Sequence, residues 1–397
     1  MRIALFHNLP SGGAKRTVYE QVSRLALKHE IDLYSLETAN HDFADFRPFM
    51  HHIRLLPFQA GRLYASPLGR LNQGVRVLDL LRLRPVQKAL AVEINRGNYD
   101  LALVHQCKFT FSPTILRSLE PPSLYYRHDP IRWLQDPKLA RPYHRSNNFR
   151  SALDKVDLLN LSYQRLLKYE DGSSMLSASR VVTNSYFNRE ILYRLYGIAP
   201  SVCYHGVDLE KFRPLHLDTG NYVLSVGAIS PYKGYDFIIQ GLGCLPDNQR
   251  PRLVLVGNDS IPDERIYLQD LASSLKVEVE FRDLVDDNEL VDLYNRALCM
   301  IYTPIMEPFG LVPIEAMACG KPVVGIREGG VRETVVDHQT GFLVNRDCSE
   351  LAEAIQILCT NRARAKQYGE AGRQQAEKYW SWERAIDALE RHIEEIV

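Results

Sequence analysis

Residues 298–320, Leu-Cys-Met-Ile-Tyr-Thr-Pro-Ile-Met-Glu-Pro-Phe-Gly-Leu-Val-Pro-Ile-Glu-Ala-Met-Ala-Cys-Gly, leave this chain few ways to fold. The apolar run at 298–302 predicts a buried strand. Pro308 and Gly310 break the chain, and 311–319 then reads as a helix closed by Gly320. Glu307 falls in the loop and Glu315 inside the helix, with the unpaired amides of Phe309, Gly310 and Leu311 between them. A helix N-terminus offers free N–H groups and a positive dipole end, which suits a phosphate. Carboxylates on either side are acceptors with no use for phosphate; they suit sugar or ribose hydroxyls. The stretch points to a nucleotide or sugar phosphate read by two glutamates. The plainer alternative is an ordinary strand–loop–helix turn with acids near its helix start.

Strands alternate with helices along all 397 residues, a length with room for two domains, each with its own core. The apolar share of 45% and charged share of 24% are those of a globular protein. A net charge of zero hides an asymmetry: residues 1–200 hold 28 Lys and Arg against 17 Asp and Glu, and the remainder reverses it. Two units with different partners, or simple mutual attraction of the halves, both fit. Seven scattered cysteines without a Cys-x-x-Cys pair argue for reduced thiols and against zinc or a disulfide framework. The start, Met-Arg-Ile-Ala-Leu-Phe, enters a strand directly, and no run approaches the length of a membrane span. The expected location is cytoplasmic.

In the first half, a strand over 2–6 leads through Gly12 and Gly13 into a helical pattern over 15–28. Strand, glycine turn and helix are the phosphate-binding layout, but the spacing is not Gly-x-Gly-x-x-Gly, which speaks against a dinucleotide. Residues 47–96 carry nine Arg and Lys against Asp79 and Glu93, with a helix predicted over 75–95 whose apolar members are Val77, Leu78, Leu81, Leu90 and Val92. Such a surface suits an anionic lipid, an anionic acceptor, or plain solvent. It carries no nucleic-acid-binding module. His128 stands at the exit of a strand over 123–126, where parallel sheets place ligand groups, and His105 is a second candidate. A surface histidine beside Pro130 is the alternative. A helix over 149–171, a strand over 180–185 and a helix over 186–196 follow.

In the second half, a strand over 222–226 runs into Gly227-Ala-Ile-Ser-Pro-Tyr-Lys-Gly, where Lys233 beside a glycine suits a phosphate. Strands are expected at 252–256, 277–281 and 322–326, and a helix at 286–297, with Asp286-Asp287 read as its cap. Gly329-Gly330 is another phosphate-competent turn, and Glu328 and Glu333 read as helix-start acids. The spacing of Trp382, Ile386, Leu389 and Ile393 after Ser381 predicts a final amphipathic helix.

Glu-x7-Glu enclosing Pro-Phe-Gly, followed by Glu-Ala-Met-Ala-Cys-Gly-Lys-Pro-Val-Val and continuing to Gly341-Phe-Leu-Val, resembles the signature of glycosyltransferase family 4. The resemblance implies an α/β fold of GT-B type, two doubly wound Rossmann-like domains facing a cleft. It implies a first domain over 1–205, rejoined by a helix at 380–397, and a donor-binding domain over 206–379. It also implies a retaining, metal-independent transferase that moves a hexose from GDP-mannose or a UDP-hexose to an acceptor hydroxyl in glycan, polysaccharide or glycolipid assembly. Tyr-Tyr-Arg-His-Asp-Pro is similar to a mannosyltransferase-like form and assigns His128 to the donor sugar. Glu307 is assigned to hydroxyls of the transferred sugar and Glu315 to the ribose. Lys233, Gly227, the Phe309, Gly310 and Leu311 region, Gly12 and Gly13 are assigned to the diphosphate, and Leu284 and Val285 to the base. Two positions depart from the pattern: His205 stands where Asn is usual, and Ala228 where the family places a diphosphate-binding Arg. Lys15, Arg16 and Arg332 are candidates to supply the missing charge. Ala228 also favours an alternative, a non-catalytic nucleotide-sugar-binding relative; an epimerase or phosphorylase on the same architecture is a third. The basic stretch at 47–96 adds a peripheral contact with the inner face of a membrane as an expectation.

Overall fold

A computed structural model describes residues 1–65, 68–132, 139–143, 157–215 and 217–397. Seven parallel strands form the first sheet in the order β3-β2-β1-β4-β5-β6-β7. They are β1 Arg2–Asn8, β2 Glu30–Leu36, β3 His52–Leu56, β4 Leu101–Cys107, β5 Ser123–Arg127, β6 Arg180–Thr183 and β7 Ser201–Val202. Six parallel strands form the second in the order β10-β9-β8-β11-β12-β13. These are β8 Tyr222–Val226, β9 Arg252–Val256, β10 Val279–Arg282, β11 Met300–Tyr302, β12 Val323–Ile326 and β13 Gly341–Val344. The strand order reverses between β1 and β4 and between β8 and β11, and a crevice opens at the carboxyl ends of such strands.

The strands read as continuous apolar runs because helices cover both faces of each sheet. Along β1, Ile3 and Leu5 join one buried cluster, and Ala4 and Phe6 join the cluster on the opposite face. The final helix, Trp382–Glu394, belongs to the first of these: Ile386, Leu389 and Ile393 pack with Val18, Val22 and Leu25 of helix Gly13–Leu25. Ser381 caps it by accepting from the Arg384 amide. The chain therefore crosses between the halves twice, and the crossings lie together, with Val207 N donating to Trp380 O at 2.7 Å. Gly206 permits this, since a Cβ there would sit 2.5 Å from the Trp382 backbone. Leu389→Ala, at a fully buried position, is expected to cost the first domain about 2–5 kcal/mol in urea unfolding; a loss within experimental error would mean the helix merely rests on the surface.

Several sequence expectations are corrected here. The helix expected over 149–171 starts at Leu158, where Asp157 accepts from the Leu159 and Asn160 amides, and it continues to Leu176. It runs through Gly172 because the Tyr196 ring packs where a side chain would stand; residues 149–156 lie outside the described part. Helix Asn72–Asn95 is present, but its buried face is Leu80, Leu83, Leu90, Ala91 and Ile94. Leu78, Leu81 and Val92, expected on one apolar face, point to solvent instead. Of its basic neighbours, Arg54 pairs with Glu93, Arg47 with Asp45, and Arg84 with Glu170. No helix among the described residues is long and apolar enough to cross a membrane.

Candidate active site

β11 delivers the chain to the cleft, and helix Leu311–Ala318 leaves it, with no side chain capping the helix start. The turn at Gly310 has φ 90°, and a Cβ there would lie 2.2 Å from the Tyr302 hydroxyl, so only glycine fits. The first-turn amides are thus left for a ligand. Opposite them sits the first domain's glycine turn: a methyl group on Gly13 would be 3.9 Å from Leu311 Cδ1.

Each of the two glutamates is bridged by a cation from the first domain. Glu307 Oε1 lies 3.0 Å from Lys233 Nζ, and its Oε2 lies 3.4 Å from Arg132 Nη1. Arg132 also donates to Ile305 O at 2.8 Å. Burial opposes ionisation of Glu307, but Lys233 and Arg132 together outweigh it and hold its pKa below the usual carboxylate range. Glu315 accepts from the Tyr294 hydroxyl at 2.9 Å and pairs with Arg16 Nη1 at 3.1 Å. Arg141 adds a third tie, bonding Glu264, Asp236 and Pro231 O on the turn that carries Lys233.

His128 lies just past β5, almost fully buried, with its Nε2 3.0 Å from His105 Nδ1. Its ring stacks on that of His105 and, at 5.8 Å, on that of His205, and lies tilted against Tyr126 at 4.8 Å; His205 meets the Phe309 ring edge-on at 5.2 Å. Its carbonyl accepts from Asn184 and Asn188. Burial, then His105 and His205, push the His128 pKa well down, so the imidazole is neutral, with Nδ1 left without a partner among the described residues. Ser185 Oγ donates to Pro308 O at 2.6 Å, so the first domain grips the backbone of the loop that carries Glu307. Among the described residues, no group of three or more His, Cys, Asp or Glu is arranged to hold a metal ion.

The family model described as Glycosyltransferase Family 4 matches residues 11–211, half of the chain, and the one described as Glycosyl transferases group 1 matches 207–375. The chain belongs to glycosyltransferase family 4. A D-inositol 3-phosphate glycosyltransferase 2 of Catenulispora acidiphila is 34% identical over 247 residues, which are 55% of this chain and 58% of that one. The chain thus spans little more than half the length of this curated relative. The sucrose-phosphate synthase of Thermosynechococcus elongatus superposes with a TM-score of 0.75 at 22% identity, over 99% of this chain and 98% of its own. HepE of Anabaena, in complex with UDP and glucose, does so with 0.70 at 19% identity, over 100% of both chains. These likenesses establish the two-domain GT-B fold.

Within this family 4 framework, the structure gathers Glu307, Lys233, Gly310, Leu311, Glu315 and Gly13 around the cleft. Gly12 caps helix Gly13–Leu25 with φ 134°. Gly227, at φ 150°, lies under the Lys233 side chain, where a Cβ would be 3.3 Å from Lys233 Cε. The Phe309 side chain is packed among Tyr204, His205 and Trp380, which leaves only its amide for a ligand. Leu284 stands 82% exposed with φ 55°, and Val285 packs half-buried against the second core; among the described residues no hydrogen bond or ring contact ties either to the cluster.

Four features escaped the sequence. Of the cations considered for the gap at Ala228, Arg16 is engaged by Glu315, Arg332 Nε donates to Gly329 O, and Lys15 lies over Phe46. Arg132 is the cation beside Lys233 and Glu307, and nothing in its local sequence marks it. Glu333 is not a simple helix-start acid: it accepts from the Tyr186 and Phe187 amides and the Tyr204 hydroxyl, capping helix Tyr186–Tyr196 of the other domain. Glu328 pairs with Arg346. Arg127, next to His128, is fully buried against Asp171.

Proposed function

We propose that the protein transfers a hexose, with retention, from a nucleoside diphosphate sugar to an acceptor hydroxyl. The observation that carries this reading is the convergence of Lys233, Glu307, Glu315 and the open amides of Gly310 and Leu311 on one cleft, with the Gly12–Gly13 turn facing them. Lys233 and the helix N-terminus supply positive charge where the leaving diphosphate develops its negative charge, in a site screened from water. Glu307 and Glu315 accept from hydroxyls of the hexose and the ribose, exchanging Arg132 and Arg16 for the donor. Neutral His128 offers Nδ1 to the sugar. The leaving phosphate takes the acceptor proton on the same face of the ring, and no metal is needed in this scheme. UDP-hexose and GDP-mannose are the donors tested first; the UDP and glucose in HepE support the former. The acceptor is reached from the first domain. A resting place on an anionic membrane is part of the reading, since exposed Leu78 and Leu81 lie beside exposed Arg82 on helix Asn72–Asn95.

UDP is expected to raise the melting temperature of the wild type, and Glu315→Ala to lose much of that rise. GDP and ADP serve as comparison ligands. If no nucleotide shifts either protein at millimolar concentration, the donor-site assignment fails. Ala228 favours a second reading, a relative that binds the donor without reacting; a nucleotide-dependent shift without any release of UDP or GDP from the nucleotide sugar supports it.

A further inference from the structure

Lys15 is the third residue of helix Gly13–Leu25 and only 1% exposed, yet among the described residues no carboxylate pairs with it. Its ammonium lies 3.6 Å from the centre of the Phe46 ring. The same ring meets His7 edge-on at 5.1 Å, and His7 meets His41 at 5.8 Å. Asp45 is the nearby acid, but both its oxygens are bonded by Arg47 at 2.8 and 2.9 Å. His7, at the carboxyl end of β1, is fully buried and accepts the Leu9 amide at Nδ1. As a neutral ring its Nε2 therefore carries the proton, and among the described residues that nitrogen has no partner. Burial, with Lys15 next in effect, keeps this imidazole neutral by pushing its pKa well down. Burial also pulls the Lys15 ammonium down to about 8, and the opposing pull of Asp45, itself bonded by Arg47, does not restore it.

A buried ammonium and a buried N–H donor, both lacking acceptors beside a glycine turn and at a strand-order reversal, describe a site that is short of an anion. We propose that Lys15 and His7 hold the phosphomonoester of a phosphorylated acceptor. This deepens the transferase reading and rests on it, because Lys15 directly follows the Gly12–Gly13 turn that faces Leu311. A dianion fits better than a carboxylate: Lys15 is left unneutralised, because Asp45 and the more distant Asp42 are both held by Arg47, and Lys108 at the Thr38 carbonyl adds a further cation. Charge-assisted bonds from an ammonium are short and strong enough to repay burial of both partners.

The test titrates inorganic phosphate, with acetate and sodium chloride at matched ionic strength, into wild type and Lys15→Met, each with and without saturating UDP. Thermal shift and calorimetry are read together. Wild type is expected to bind phosphate in the presence of UDP, with acetate weaker, and Lys15→Met to lose at least about tenfold in phosphate affinity. UDP binding is expected to be unchanged by the substitution. Equal phosphate binding in both proteins, equal binding of acetate, or phosphate binding that UDP abolishes would each overturn the proposal. If UDP itself fails to bind wild type, the donor reading falls while the phosphate arm is still read without nucleotide. Lys15→Met removes an unpaired buried charge and is expected to melt no lower than wild type; His7→Phe, which removes only the N–H donor, provides the second variant and is expected to weaken phosphate in the same direction.

Discussion

Lys233→Met lowers kcat by about 100–1000-fold, with a smaller change in the donor KM, if the leaving diphosphate is stabilised as proposed. The reason is differential. A cation facing the diphosphate gains most when the glycosidic bond breaks and charge moves onto the phosphate, so its loss falls on the transition state. Lys233 is held for this by the short turn Pro231–Lys233, by the left-handed Gly234 behind it, and by Glu307 at 3.0 Å. The substitution shortens the side chain by one atom, removes its charge and leaves Glu307 paired with Arg132, so the loop has little reason to rearrange. The measurement is release of nucleoside diphosphate at saturating donor. A kcat within about twofold of wild type would remove Lys233 from the mechanism. A rise in KM alone would make it a residue of ground-state binding.

The second large effect is expected on stability. Arg127 and Asp171 are both fully buried, joined at 2.6 and 3.0 Å. Asp171 further accepts from the Ser112 amide and hydroxyl and from Tyr196. Asp171→Asn keeps the volume and removes the charge, leaving a guanidinium in the interior without its counter-ion. That situation costs about 3–5 kcal/mol, far more than any exposed pair on this surface contributes. Urea unfolding of the two proteins measures it, and a loss below about 1 kcal/mol would mean that water reaches the pair in solution. Because Arg127 directly precedes His128, the same variant is expected to loosen the imidazole stack.

The placing of Glu307, Glu315 and Lys233 around one strand–loop–helix turn, and the two parallel sheets, were legible because their signals are local. A strand buried on both faces, a glycine turn and a helix start each declare themselves within about ten residues. What was not legible depends on partners far away in the chain. Arg132 meets Glu307 across 175 residues, and Glu333 meets the Tyr186 amide across 147. An arginine in a loop and a glutamate in a helix look the same whether solvated or paired. The apolar face of helix Asn72–Asn95 failed for a related reason: it carries leucines on more than one side, and only the first sheet and helix Leu158–Leu176, which pack against it, decide which side is covered. Pairs such as Arg16 with Glu315 also show these carboxylates already engaged, which no spacing rule announces.

The final helix has a consequence for how the molecule comes into being. Ile386, Leu389 and Ile393 cover one side of the sheet that β1 to β7 build, yet they are translated only after the whole of β8 to β13. The half that leaves the ribosome first is therefore the half completed last. While the second sheet is being made, Val18, Val22 and Leu25 have no cover from this helix, and a nascent chain in that state is a substrate for chaperones and a hazard for self-association. The later half can close its own core as soon as it emerges, and it then waits, tethered, for its older neighbour to finish folding.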